Sequence, residues 1–208
     1  MAEYRTLKSL GRAEFIERRS QFIATAIPAN SPEEAEAFIA QVREQYKDAT
    51  HNVWAYLIDS GHMRCSDDGE PSGTAGVPVL DTLKKNGIQR AAIVVTRYFG
   101  GVLLGGGGLV RAYSTSAHLG IQAAGIVTMR SCLRFCALVD YKDWGRVQNA
   151  LALSPAVLET TEYDSDIKVY FHIEEPFAEK LLSSLTDLTG GNIFFSQEGS
   201  GFMEIDTK

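Results

Sequence analysis

The chain has little cysteine, no signal-like leader, no long apolar run and no standard nucleotide-binding fingerprint. Three cysteines among 208 residues, Cys65, Cys132 and Cys136, are too few and too oddly spaced for a disulfide framework or a structural zinc site. Cys132 and Cys136 fall on one face of a strand and read as small buried hydrophobes. No stretch approaches membrane-spanning length, and Met1-Ala2-Glu3-Tyr4-Arg5 lacks the hydrophobic segment of a secretory signal, so a reduced, cytoplasmic protein is expected. An excess of positive charge is also missing: the net charge of −6 argues against indiscriminate nucleic-acid binding by the whole molecule. The two parts differ, however. Residues 1–130 hold 14 Lys or Arg against 13 Asp or Glu, and residues 131–208 hold 6 against 13, which assigns any phosphate-binding face to the first part.

What is present is an ordinary globular composition, 45% hydrophobic and 22% charged, arranged around one stretch from Cys65 to Tyr113. An acidic turn, Ser66-Asp67-Asp68-Gly69-Glu70-Pro71, precedes the apolar, β-branched run Ala91 to Thr96, which suits a strand buried on both faces. A glycine-dense loop breaks that strand: Gly100-Gly101, then Gly105-Gly106-Gly107-Gly108 just before helical spacing resumes at Leu109. Strand, glycine loop and helix N-terminus make an anion cradle, because first-turn N–H groups lack intrahelical partners and carry partial positive charge. Arg97 before the loop and Arg111 after it add charge-assisted donors. The alternative is that these glycines only permit close packing of helix on sheet. ATPase and Rossmann chemistry are excluded by spacing. Gly101 and Gly106 are followed by Gly107 and Gly108, where a P-loop needs Lys and Ser or Thr, and a dinucleotide motif would need glycine at Val110 or Arg111.

The rest of the chain reads as support. Residues 1–11 suit an arm or edge strand, and Glu14 to Ile27 extended segments, with Arg18-Arg19 a solvated basic spot. Ser31-Pro32-Glu33-Glu34 opens a capped helix whose core face is Phe38, Ile39, Val42 and Tyr46. His51 leads into a strand to Ile58, and a second helix runs from about Gly76 to Lys85. From Met129 the expected order is strand (131–139), helix (141–153), strand (157–163), strand (167–173), helix (176–189), strand (192–197), the ferredoxin-like βαββαβ unit. Lys168-Val169-Tyr170-Phe171-His172 does not supply the RNA-recognition-motif signature on its third strand, so this acidic domain is a better candidate for a protein contact or for regulation of the first domain than for reading nucleic acid.

The acidic turn, Gly73-Thr74-Ala75-Gly76, Arg97-Tyr98-Phe99-Gly100-Gly101, Leu104-Gly105 and Gly107-Gly108-Leu109-Val110-Arg111-Ala112-Tyr113 together resemble the IMPACT family. Ser20-Gln21-Phe22-Ile23, His51, Ala55 and Tyr56 extend the likeness over nearly all the chain, more loosely after about Arg130. The resemblance implies an α+β protein of two domains. Residues 1–128 would form an α/β domain like that of a small-subunit ribosomal protein and of domain four of elongation factor G; residues 129–208 would form the ferredoxin-like domain. Eukaryotic relatives are translation regulators with an extra N-terminal interaction domain, so their kinase-pathway role does not carry over to a chain without that domain.

What carries over is a translation-associated regulator that binds RNA or the ribosome noncovalently, with no cofactor, metal or membrane. Arg97, Gly100, Gly101, Gly105, Gly106, Gly107, Gly108 and Arg111 would engage phosphates, Tyr98 or Phe99 would stack or pack, and Asp67, Asp68 and Glu70 would orient the basic groups. A hydrolase is the alternative, acting on a small anionic or peptide substrate with His51, Asp67, Asp68 and Glu70. Its test is whether these groups converge or the acids merely cap the turn.

Overall fold

The computed structural model describes residues 3–204. The chain divides into two compact units, one spanning Tyr4–Thr128 and one containing Met129 onward.

In the first unit β1 (Glu3–Leu7) delivers Leu7 to the core, and β2 (Gly11–Glu17) and β3 (Ser20–Pro28) form a hairpin. Glu17 pairs with Ser20, which leaves Arg18 and Arg19 as a two-residue loop with φ of 45° and 72°. Both central residues at positive φ match the sense of turn that follows strand twist, a place where Asn-Gly is the usual choice. Next come α1 (Pro32–Gln45), β4 (His51–Leu57), β5 (Met63–Ser66), α2 (Gly76–Lys85), β6 (Ala91–Tyr98) and α3 (Gly106–Ala124). The start of α1 is set as its sequence requires: Ser31 Oγ accepts from Glu34 N–H at 3.2 Å, while Glu34 reaches back to Asn30 N–H at 2.7 Å.

Five of these six strands, β2 to β6, form an antiparallel sheet of order β2-β3-β6-β4-β5. Strand β6 is central and buried on both faces, so its side chains serve two cores alternately. Ile93 and Val95 meet Val79, Leu83, Tyr113 and Ile121 of α2 and α3, whereas Ala92 and Val94 meet Phe38, Ile39 and Val42 of α1. Each such large side chain stabilises the fold by about 1.5–3 kcal/mol through burial. The sandwich of one helix, a sheet and two helices holds the end of β6 and the start of α3 beside the acidic turn.

The second unit contains β7 (Ile126–Val139), α4 (Tyr141–Leu153), β8 (Val157–Tyr163), β9 (Ile167–Glu174), α5 (Glu175–Leu188) and β10 (Ile193–Glu204). Its strands run antiparallel in the order β10-β7-β9-β8, the ferredoxin-like arrangement. The core comes from Phe135, Val139, Val169 and Phe171 under Val147, Leu151, Leu181 and Leu185. Two strands run longer than their sequence predicts. β10 continues past Gln197 across a register shift to Glu204, pairing with Met129 to Arg134, and β7 begins at Ile126. That extension is largely exposed on β10 and carries Gly199 and Gly201, so it lacks the apolar alternation that marks a strand. Among the described residues, no helix is long and apolar enough to cross a membrane.

Candidate functional site

The acidic turn between β5 and α2 uses most of its carboxylates internally. Asp67 accepts the backbone N–H groups of Ala75 and Gly76 on Oδ1, at 3.0 and 2.8 Å, and of Gly73 on Oδ2 at 2.9 Å. It thereby caps α2 from a distance, since Ala75 at the N-cap position has no side chain able to do so. Burial works to raise the Asp67 pKa, but the three donors together outweigh it and hold the carboxyl below its ordinary value. Asp68 accepts Asn52 N–H at 2.7 Å and the Arg43 guanidinium at 3.1 Å. Both acids therefore serve the turn and its neighbours, Asp67 through backbone N–H groups and Asp68 through Asn52 and Arg43.

Glu70 behaves differently. It is 8% exposed, and its Oε1 accepts from Arg97 Nη1 at 2.5 Å and from the Tyr113 hydroxyl at 2.7 Å. Burial, and then the charge of Glu70, push the Tyr113 phenol far above its ordinary pKa, so it stays protonated and keeps donating. Arg97 also donates from Nη2 to Ser20 Oγ at 3.3 Å, and its guanidinium carbon lies 5.4 Å from the ring centres of both Phe22 and Phe99. At 4% exposure Arg97 is an internal strut. This corrects the expectation of a surface phosphate clamp: β6 places the side chain on the α3 side of the sheet, where only a buried counter-charge makes it tolerable.

His51 opens β4 with Nδ1 2.8 Å from the Asp68 carbonyl oxygen. A carbonyl only accepts, so Nδ1 carries the proton, and Nε2 is directed to Glu70 Oε1 at 3.9 Å. Of the four groups in the hydrolase reading, His51 and Glu70 therefore converge, and Asp67 and Asp68 serve the turn. Among the described residues no His, Cys, Asp and Glu cluster is arranged to hold a metal ion.

The glycines divide by role. A Cβ on Gly100 would lie 2.1 Å from the Arg19 carbonyl carbon, so this glycine is required by packing. Gly105, at φ 72° and the N-cap of α3, would have open space around a Cβ; Gly106 would meet only the Thr74 methyl at 3.8 Å, and Gly107 only Arg111 Nη1 at 3.9 Å. The backbone conformation at φ 72° requires glycine at 105, whereas packing does not demand it at 106 or 107, and the three leave an exposed run of backbone at a helix start that no side chain caps. Gly101, at φ 80°, permits the turn into that loop, and Gly108 is tight against Leu104 Cβ at 3.1 Å. Tyr98 is tied to Asp48 by a 3.0 Å hydrogen bond. Phe99 and Leu103 are 44% and 82% exposed.

Two cavities flank this helix start. One of about 230 Å³ is lined by Arg18, Glu17, Phe15, Arg111, Gly108 and Thr115. It brings Arg111 together with Arg18 of the hairpin turn, whose side chain is exposed to solvent as its sequence suggests. The other, of about 380 Å³, has Thr50, His51, Glu70 and Arg97 as its polar lining, and Phe99, Leu103, Leu104 and Leu109 as apolar wall beside Gly105 and Gly106. Sequence reasoning did not assign Ser20, Tyr113 or Arg18 a place in the site; the polar ones are isolated in sequence from the groups they meet.

Comparisons with known proteins agree with this layout. The Impact N-terminal domain family matches residues 18–121, and a domain of unknown function, DUF1949, matches residues 138–192. IMPACT family member YvyE of Bacillus subtilis is 37% identical over 90% of this chain and 88% of its own length. YigZ of Escherichia coli is 28% identical over 85% of this chain and 88% of its own. Protein IMPACT of Mus musculus is 35% identical but aligns with only 43% of this chain and 30% of its own length. A solved structure titled as a hypothetical protein shares the fold, with a TM-score of 0.61 at 24% identity and full coverage of both chains. The match to residues 18–121 takes in the Arg18 turn, the Glu70–Arg97–Tyr113 network and the glycine loop, and with the near full-length likeness to YvyE it establishes that this chain belongs to the IMPACT family.

Proposed function

We propose that the protein is a translation-associated regulator that binds RNA or the ribosome noncovalently through the start of α3. The association with translation comes from the family resemblance. The observation that carries the binding surface is the uncapped, exposed helix start at Gly105 to Gly107, in which glycine at 106 and 107 answers to no packing or backbone need, flanked by Arg111 and Arg18. Phosphates engage the backbone N–H groups and the two arginines, while Phe99 offers a stacking face. Arg97 acts indirectly, holding Phe99 and the end of β6 in place. The acidic second unit serves a protein contact.

Co-sedimentation with ribosomes and with isolated RNA across a salt series tests this. Binding that weakens with salt and falls in both Arg18→Ala and Arg111→Ala is the expected result; unchanged binding in the two folded variants overturns it.

A hydrolase is the second reading, favoured by His51 and Glu70 at 3.9 Å beside the larger cavity. Thr50 is the one hydroxyl in that cavity's lining and already accepts from Phe99 N–H at 3.1 Å, so the reaction would depend on water activated by His51.

A further inference from the structure

The larger cavity holds two features that phosphate binding at the helix start does not use. Glu70 has a side chain only 3% exposed, and both of its buried donors, Arg97 and Tyr113, go to Oε1 rather than Oε2. Arg97, 5% exposed in its side chain, has an Nε–H with no acceptor. Buried polar atoms in a folded chain nearly always find partners, and this one belongs to a residue of the cavity lining, which also includes Glu70. The same wall contains Gly105 and Gly106, the uncapped start of α3, with no acidic residue in the helix's first turn to neutralise it. The lining also includes Phe99 and Leu103, large apolar side chains left exposed.

The geometry points to a nucleoside monophosphate as the occupant of this cavity. Each part of the cavity answers to one part of such a ligand. The phosphate lies at the N–H groups that open α3, where a dianion gains both hydrogen bonds and the helix dipole. A flat base packs against the Phe99 face, with Leu103 and Leu104 along it. A ring or exocyclic N–H of the base donates to Glu70 Oε2, and His51 Nε2, its lone pair defined by the Nδ1–H bond to Asp68, accepts a second donor. At about 380 Å³ the space is in the range of small-ligand sites and is far too small for a folded RNA element. A free nucleotide and the terminal nucleotide of an RNA strand share this chemistry. The inference rests on the proposed phosphate site at the start of α3 and adds the base-binding part of the cavity; nucleotide titration tests it apart from ribosome binding, which is read through Arg18→Ala and Arg111→Ala.

The test uses the full chain with AMP, GMP, CMP and UMP, a 5′-phosphorylated and an unphosphorylated hexaribonucleotide, and inorganic phosphate as a control. Amide resonances of residues 103–107 are followed by heteronuclear NMR, with affinities from calorimetry. Two variants dissect the site. Gly106→Pro removes one N–H donor at the first helical position, where proline is well tolerated, and Phe99→Ala removes the stacking face. Saturable shifts in 103–107 with at least one nucleotide, bound more tightly than phosphate and weakened roughly tenfold by each variant, are expected. Binding of the free nucleotide identifies a small-molecule ligand, and binding of the 5′-phosphorylated strand alone identifies an RNA terminus; both support the site. Absence of saturable shifts with all probes, affinity no better than that of phosphate, or affinity unchanged in both variants overturns it.

Discussion

At Glu70 one carboxylate oxygen takes two buried donors, and the consequences at the residue scale follow from which donor is removed. Arg97→Met leaves Glu70 as a buried charge without its counter-ion and is expected to cost about 3–5 kcal/mol in urea unfolding. Tyr113→Phe removes one hydrogen bond to that charge with little change of shape, so about 1.5–3 kcal/mol is expected in the same experiment. Tyr113 adds a pH dependence. Its native pKa is raised by burial and by Glu70, so its contribution is complete below the unfolded value near ~10 and is lost as the pH climbs above it. Alkaline unfolding of Tyr113→Phe should therefore be less steep than that of the wild type. His51, Glu70, Arg97 and Tyr113 were all legible as residues worth attention or as part of a motif, but their roles were not: burial, which decides whether an arginine is a strut or a clamp, is a property of the folded sheet.

Elements carry the next set of effects, because the site is built from their ends. Asp67 caps α2 across eight and nine residues of sequence, by its bonds to Ala75 and Gly76. Asp67→Ala should cost about 2 kcal/mol at neutral pH. With its native pKa lowered, the contribution of Asp67 is complete above the unfolded value of ~3.9 and is lost as the pH falls below it. The stability gap between wild type and variant should narrow accordingly in acid, as followed by circular dichroism. In the β2–β3 hairpin, Arg18 and Arg19 occupy positive φ at a strain of order 1 kcal/mol each. Replacing the pair by Asn-Gly should raise the melting temperature while weakening RNA or ribosome binding, a trade expected where strain is kept for a contact. An unchanged melting temperature would remove the strain argument. The helix caps, the strand β6 and the glycine loop were readable from spacing; the hairpin turn was not, since two arginines are not turn formers.

For the whole molecule, net charge sets how binding should respond to salt. With the acidic excess confined to residues 131–208, the polyanion-binding surface rests on a few cations of the first unit. The slope of log affinity against log salt on single-stranded RNA should accordingly be shallow, and each of Arg18→Ala and Arg111→Ala should reduce its magnitude by about 0.7. A steep slope insensitive to both would move the interface elsewhere on the chain.

Sequence by itself determined the two-unit α+β organisation, the family and the nature of most elements, because apolar periodicity, Ser31 and Pro32 at a helix start, and glycine before Leu109 act locally. The second unit was likewise readable as βαββαβ from the alternation of its helices and strands. Tertiary structure alone decided which groups meet. Ser20, His51, Glu70, Arg97 and Tyr113 come from four separate elements and a turn, and they converge because β3, β6 and β4 are neighbours in one sheet under α3. Strand order is a long-range outcome of burying two faces at once, and no local pattern in the chain encodes it.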